Sequence, residues 1–133
     1  MPPVKVLLVS SHPAVRELME LSVRSIERRL GEPLSFLEAV NGEQGAKVAV
    51  REAPEVIVAD ETQSRAGAFH LARELRGMLE PYQGAIVILL DRPHDAWLAK
   101  WSGADAWFTK PADPFELADR IIEIVQSRPR EHV

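Results

Sequence analysis

The sequence predicts a doubly wound α/β fold: a five-stranded parallel sheet with five helices. Three observations carry that expectation. Short apolar runs recur along the chain, each followed by a stretch with helical spacing, which is the alternation that builds parallel sheets. The runs are apolar throughout rather than alternating, as strands covered on both faces require. Glycine, proline and asparagine fall between the segments, where the chain must turn.

The first strand is Val4-Lys-Val-Leu-Leu-Val9, interrupted only by Lys5. Pro13 suits the first turn of a helix, in which Val15, Leu18, Met19, Ser22, Ile26 and Leu30 follow at helical spacing until Gly31 stops it. Leu34 to Ala39 reads as the second strand, and Asn41-Gly42 as a turn into a helix from about Glu43 to Glu52. Pro54 separates that helix from the third strand, Glu55 to Asp60. A polar loop, Glu61 to Arg65, leads into a helix from Ala66 to Met78 with Phe69, Ala72 and Leu75 on one side. Ala85 to Leu90 is the fourth strand and the most apolar stretch. After the loop Asp91 to His94 comes a short helix, about Asp95 to Ser102, and Gly103-Ala-Asp105 turns the chain into the fifth strand, Ala106 to Thr109. Asp113-Pro114-Phe115-Glu116 is a capping box with proline at the first helical position, and Ala118, Ile121, Ile122 and Val125 make the buried stripe of the last helix. The expected organisation is one domain, 1–128, with a C-terminal tail, 129–133.

Composition narrows the function. A chain of 133 residues with 46% apolar residues fits one domain with a real core. A net charge of -4 gives no general attraction to nucleic acid or to an anionic membrane. Arg24, Arg28, Arg29, Arg128 and Arg130 are interleaved with Glu27 and Glu131 and read as solvated faces. The absence of cysteine excludes disulfides, thiolate catalysis and cysteine-ligated zinc. No run approaches the ~18 apolar residues of a membrane span, and the start of the chain reads as a strand, not a signal peptide. A cytoplasmic protein is expected.

In an open parallel sheet, sites form beyond the carboxyl ends of the strands. Ser10, Ser11, Asp60, Leu90, Asp91 and Lys110 all fall at such ends, so four strands are expected to deliver residues to one crevice. Lys110 and Asp60 would there compensate each other's charge once desolvated. Ser10 and Ser11 read as helix caps or polar groups filling the crevice. His12 and His94 lack partners at metal-ligand spacing and read as surface residues. Trp97 and Trp101, four apart on the short helix, form a stripe that either covers core or offers a docking patch.

The order and spacing of several fragments resemble a bacterial response-regulator receiver domain, over nearly the whole chain. They are Pro13-Ala-Val-Arg-Glu-Leu18, Ala39-Val-Asn-Gly-Glu43, Val58-Ala-Asp60, Gly103-Ala-Asp-Ala-Trp-Phe-Thr-Lys-Pro111 and Asp113-Pro114-Phe-Glu-Leu117. The resemblance implies a flavodoxin-like (βα)5 receiver fold of the CheY type and a role in two-component phosphorelay signalling. It places Asp60 at the phosphoacceptor position, Lys110 at the lysine that contacts the phosphoryl group, and Trp107 at the aromatic switch position. It also implies a cis Lys110–Pro111 peptide.

Two departures from the family pattern shape the expectation. The two acidic metal ligands of a receiver are replaced by Ser10 and Ser11, which carry no charge for a hard Mg²⁺ ion. The small hydroxyl residue that ends the fourth strand is replaced by Leu90, or by Asp91 under a one-residue shift. The segment before Gly103 is about two residues short, so the fourth helix is expected to be reduced or displaced.

The leading reading is therefore a degenerate pseudo-receiver without metal or other cofactor, a phosphorylation-independent interaction module. Its partner would be a histidine kinase, regulator or effector domain, or a second copy bound through the face of the fourth helix, fifth strand and fifth helix. Trp97, Trp101 and Trp107 are expected on that face. The alternative is a working phosphoacceptor in which Asp60 takes a phosphoryl group from a histidine kinase. Mg²⁺ would then be held weakly by Asp60 with Glu61 or Asp91, and self-phosphorylation would be the only enzymatic act. A nucleotide site is disfavoured, because Ser10-Ser11-His12-Pro13 is no glycine-rich phosphate cradle.

Overall fold

A computed structural model describes residues 4–62 and 67–127. It contains strands β1 (Lys5–Val9), β2 (Ser35–Ala39), β3 (Val56–Asp60), β4 (Ala85–Leu90) and β5 (Ala106–Thr109). Helices α1 (Pro13–Leu30), α2 (Gly42–Glu52), α3 (Ala68–Arg76), α4 (Ala96–Ser102) and α5 (Pro114–Ser127) alternate with them. All the strand pairings are parallel, in the order β2-β1-β3-β4-β5. This is the expected doubly wound sheet with five helices. The predicted tail, 129–133, and most of the predicted loop after Glu61 lie outside the described residues.

The apolar runs sit in the middle of the sheet because they have two faces to bury. Every residue of β3 and β4 is buried, and side chains alternate between two clusters. Val6, Leu8, Val56, Val58, Val87 and Leu89 pack against α1 and α5 through Met19, Ile26, Leu117 and Ile121. Leu7, Val9, Ile57, Ala59, Ile88 and Leu90 pack on the other face against Leu71, Ala72, Leu75 and Ala99. The four residues Ala118, Ile121, Ile122 and Val125 are all buried, as their spacing predicts.

Local chemistry sets the helix ends. Gly31 adopts φ 72°, a left-handed conformation that stops α1 at little steric cost. Asn41 does more than turn the chain: its side chain accepts from the Gln44 amide at 2.9 Å and caps α2. Asp113 caps α5 by accepting from the Phe115 amide at 2.7 Å. Helix α3 ends at Arg76 rather than Met78, with Gly77 as its C-cap. As the short segment predicts, α4 is reduced: it has seven residues and follows a 3-10 turn at Pro93–Asp95. Among the described residues, no helix is long and apolar enough to cross a membrane.

Candidate functional site

In this strand order the chain turns outward from β1 to β2 on one side and to β3 on the other. The crevice where the winding reverses therefore lies above the ends of β1 and β3. Asp60 is the last residue of β3, and its side chain is 0% exposed. A buried carboxylate needs compensation for its lost hydration, and two neighbours supply it. The Ser10 hydroxyl donates to Asp60 Oδ2 at 2.9 Å, and the Lys110 ammonium donates to Asp60 Oδ1. Ser10 also accepts from the His12 amide at 3.1 Å, so it ties the start of α1 to the aspartate.

Lys110 reaches this position from the end of β5. Its amide donates to the Leu90 carbonyl at 2.8 Å, which holds the end of β5 beside the end of β4. The Lys110–Pro111 peptide is cis, as the resemblance implies. The ammonium meets a second carboxylate, Asp91 Oδ1, at 2.8 Å. Burial alone would lower the lysine pKa. The hydrogen bonds and charges of Asp60 and Asp91 outweigh it and hold the ammonium above its ordinary value of 10.5.

All four expected strand ends thus meet through side chains, Ser10 and Lys110 at Asp60 and Asp91 at Lys110, while Leu90 stays out of the crevice. Its side chain is fully buried in the core cluster against α3 and α4, on the same face of β4 as Ile86 and Ile88. Asp91, the next residue, supplies the polar group there instead. Ser11 is exposed and does not touch Asp60; it lines a cavity of about 230 Å³ with Val9, His12, Val40, Asn41, Asp60 and Thr62. Ser10 fills the crevice as a polar group, and α1 has no side-chain cap.

Two features escaped the sequence reading. His12 lies with Nε2 4.0 Å from Asp60 Oδ2, although its side chain is 58% exposed. No spacing signal foretold this, because the contact depends on how the loop after β1 folds over the strand ends. Glu61 is buried, and its side chain accepts from the Ala68 amide at 2.9 Å, so it serves the start of α3. Its place seven residues before Ala68 is outside the usual capping spacing. His94, by contrast, is a surface residue as expected, 3.8 Å from Asp95.

The donor set does not suit Mg²⁺, the ion that a receiver fold implies. Ser10 and Ser11 bring no charge, both Asp60 oxygens already accept hydrogen bonds, and Glu61 is turned to α3. Mg²⁺ asks for several hard oxygen ligands at near-octahedral positions. Among the described residues, no group of three or more His, Cys, Asp or Glu side chains is placed to hold a metal ion.

The tryptophans divide. Trp107, on β5, is partly buried against the cluster that packs on α3 and α4. Trp97 and Trp101 are 64% and 57% exposed, which overturns the reading of them as core cover. Trp101 meets α3, where the Arg73 guanidinium lies 4.0 Å above its ring.

No family model matches the chain. It is similar, at 25% identity over 126 residues, to an uncharacterized response regulatory protein of Mycobacterium tuberculosis; the match covers 92% of each chain. Among solved structures, a two-component response regulator of the LuxR family from Aurantimonas is 29% identical with a TM-score of 0.75, covering 96% of this chain and 88% of that one. The receiver domain of a sensor histidine kinase from Pseudomonas aeruginosa, solved with a magnesium ion coordinated in its active-site cleft, superposes with a TM-score of 0.78 at 20% identity. That match covers 95% of this chain and all, 100%, of that one. The fold is the CheY-like receiver fold, and the comparisons support a response-regulator receiver domain of two-component signalling.

Proposed function

We propose that this chain is a pseudo-receiver: a protein-interaction module of two-component signalling that works without phosphorylation and without a resident metal. One observation carries the reading. The carboxylate of Asp60 has no exposed surface, and both of its oxygens are engaged, one by Lys110 and one by Ser10. A phosphoryl acceptor needs a free oxygen in line with its donor and a cation to neutralise developing charge. Here Lys110 is divided between Asp60 and Asp91, and serines stand where a receiver has its acidic metal ligands. The cluster holds itself together: the carboxylates at the ends of β3 and β4 share one ammonium from β5.

In this reading Asp60, Lys110 and Ser10 are structural keystones of the crevice. Leu90 and Trp107, at the switch positions, are packing residues. The protein is not an enzyme, and its partner is another signalling protein, either a kinase, regulator or effector domain or a second copy of itself. The site sets a clear test. After incubation with acetyl phosphate and millimolar Mg²⁺, the intact mass should be unchanged, with no phosphoryl adduct mapped to Asp60. Stoichiometric phosphorylation that Asp60→Asn abolishes would establish a working phosphoacceptor instead.

A further inference from the structure

We propose that the face shared by α3 and α4 is a docking surface for an acidic, amphipathic helical segment of a partner protein. This deepens the interaction-module reading and rests on it. Trp97 and Trp101 lie one turn apart on α4, so their rings share a face, while Ala99 and Ser102 bury the opposite side against the domain. Two indoles more than half exposed on a single two-turn helix are a concentrated apolar surface, and tryptophan is the residue type most enriched at binding hot spots.

The charges beside them indicate what they bind. Arg73 reaches across from α3 and stacks on Trp101 with its guanidinium 4.0 Å from the ring centroid. Lys100 is exposed between the two tryptophans in sequence. Neither Arg73 nor Lys100 forms an ion pair among the described residues. Two uncompensated cations around two indoles complement a segment that carries carboxylates beside apolar side chains. The chain as a whole is net -4, which gives it no general attraction for a polyanion such as nucleic acid. An anionic membrane is disfavoured for the same reason, and because α4 is only seven residues long.

The test uses the full chain and two synthetic helical peptides. One carries leucine on one face and glutamate on the other; its control has lysine in place of each glutamate. Binding is followed by tryptophan emission and by the indole N–H resonances of Trp97 and Trp101. The expected result is saturable binding of the glutamate peptide, weakened at least about tenfold by Trp101→Ala and by Arg73→Glu. The lysine peptide should bind at least about tenfold more weakly, and anionic vesicles should leave both indole signals unmoved. No saturable binding, equal binding of the two peptides, stronger response to vesicles, or self-association through these indoles would each overturn the proposal. Its failure is separable from that of the pseudo-receiver reading. An unmodified Asp60 with no peptide binding removes only the docking surface, whereas phosphorylated Asp60 with peptide bound removes only the phosphorylation-independent reading.

Discussion

Lys110→Met is expected to destabilise the domain by about 3 kcal/mol, because it strands a buried carboxylate without its cation. Asp60 has a fully buried side chain and would keep the Ser10 hydroxyl as its hydrogen-bond donor, with the exposed His12 ring 4.0 Å away. The reciprocal change is milder. Asp60→Asn keeps the volume and leaves Lys110 its contact with Asp91, so about 1 kcal/mol is expected. That asymmetry separates a shared cation from a simple pair, in which either loss would cost about the same. Urea unfolding of the two variants beside wild type measures it.

The pH dependence of the same comparison follows from the direction in which the lysine is shifted. Its folded pKa is raised, so its contribution is complete below the unfolded value and is lost as pH rises through the folded one. The stability gap between wild type and Lys110→Met should be level from about pH 7 to about pH 9, and should close above roughly pH 10.4, where the unfolded lysine titrates. A gap that closed near neutral pH would mean that the ammonium is not what holds Asp60.

Leu90→Thr is expected to cost about 2–4 kcal/mol and to restore nothing at the crevice. The substitution gives this chain the hydroxyl that a receiver carries at the end of its fourth strand. Here the side chain is 0% exposed within a cluster that includes Ile88, Leu71 and Ala99. Threonine would remove apolar volume and bury a hydroxyl in that cluster. Leu90→Met, which keeps the volume, should cost under about 1.5 kcal/mol. If Leu90→Thr instead unfolded like wild type, position 90 would face the crevice and the packing described here would be wrong.

The fold was legible in the sequence because its strands are apolar on both faces and its helices are bounded by proline, glycine and capping residues. Asp60 and Lys110 were legible for the same reason: each ends a strand in a sheet whose strands all point one way. Asp91 was ambiguous with Leu90, since a one-residue slip in register exchanges which side chain meets the core. In the structure the Leu90 side chain is buried in the core and that of Asp91 meets Lys110. The approach of His12 to Asp60 and the turn of Glu61 toward α3 depend on loop paths, which leave no periodic trace. The tryptophan stripe was visible as a stripe, but its exposure was not: on so short a helix, two apolar residues four apart fit a buried face as well as an exposed one.

A titration with Mg²⁺ and beryllofluoride, a phosphoryl mimic, followed by the amide shifts of Asp60, Asp91 and Lys110, tests the central claim most directly. A self-satisfied crevice predicts a flat response through millimolar magnesium, in wild type and in Asp60→Asn alike. Saturable shifts in wild type that vanish in Asp60→Asn would show an open phosphoryl site and contradict the account.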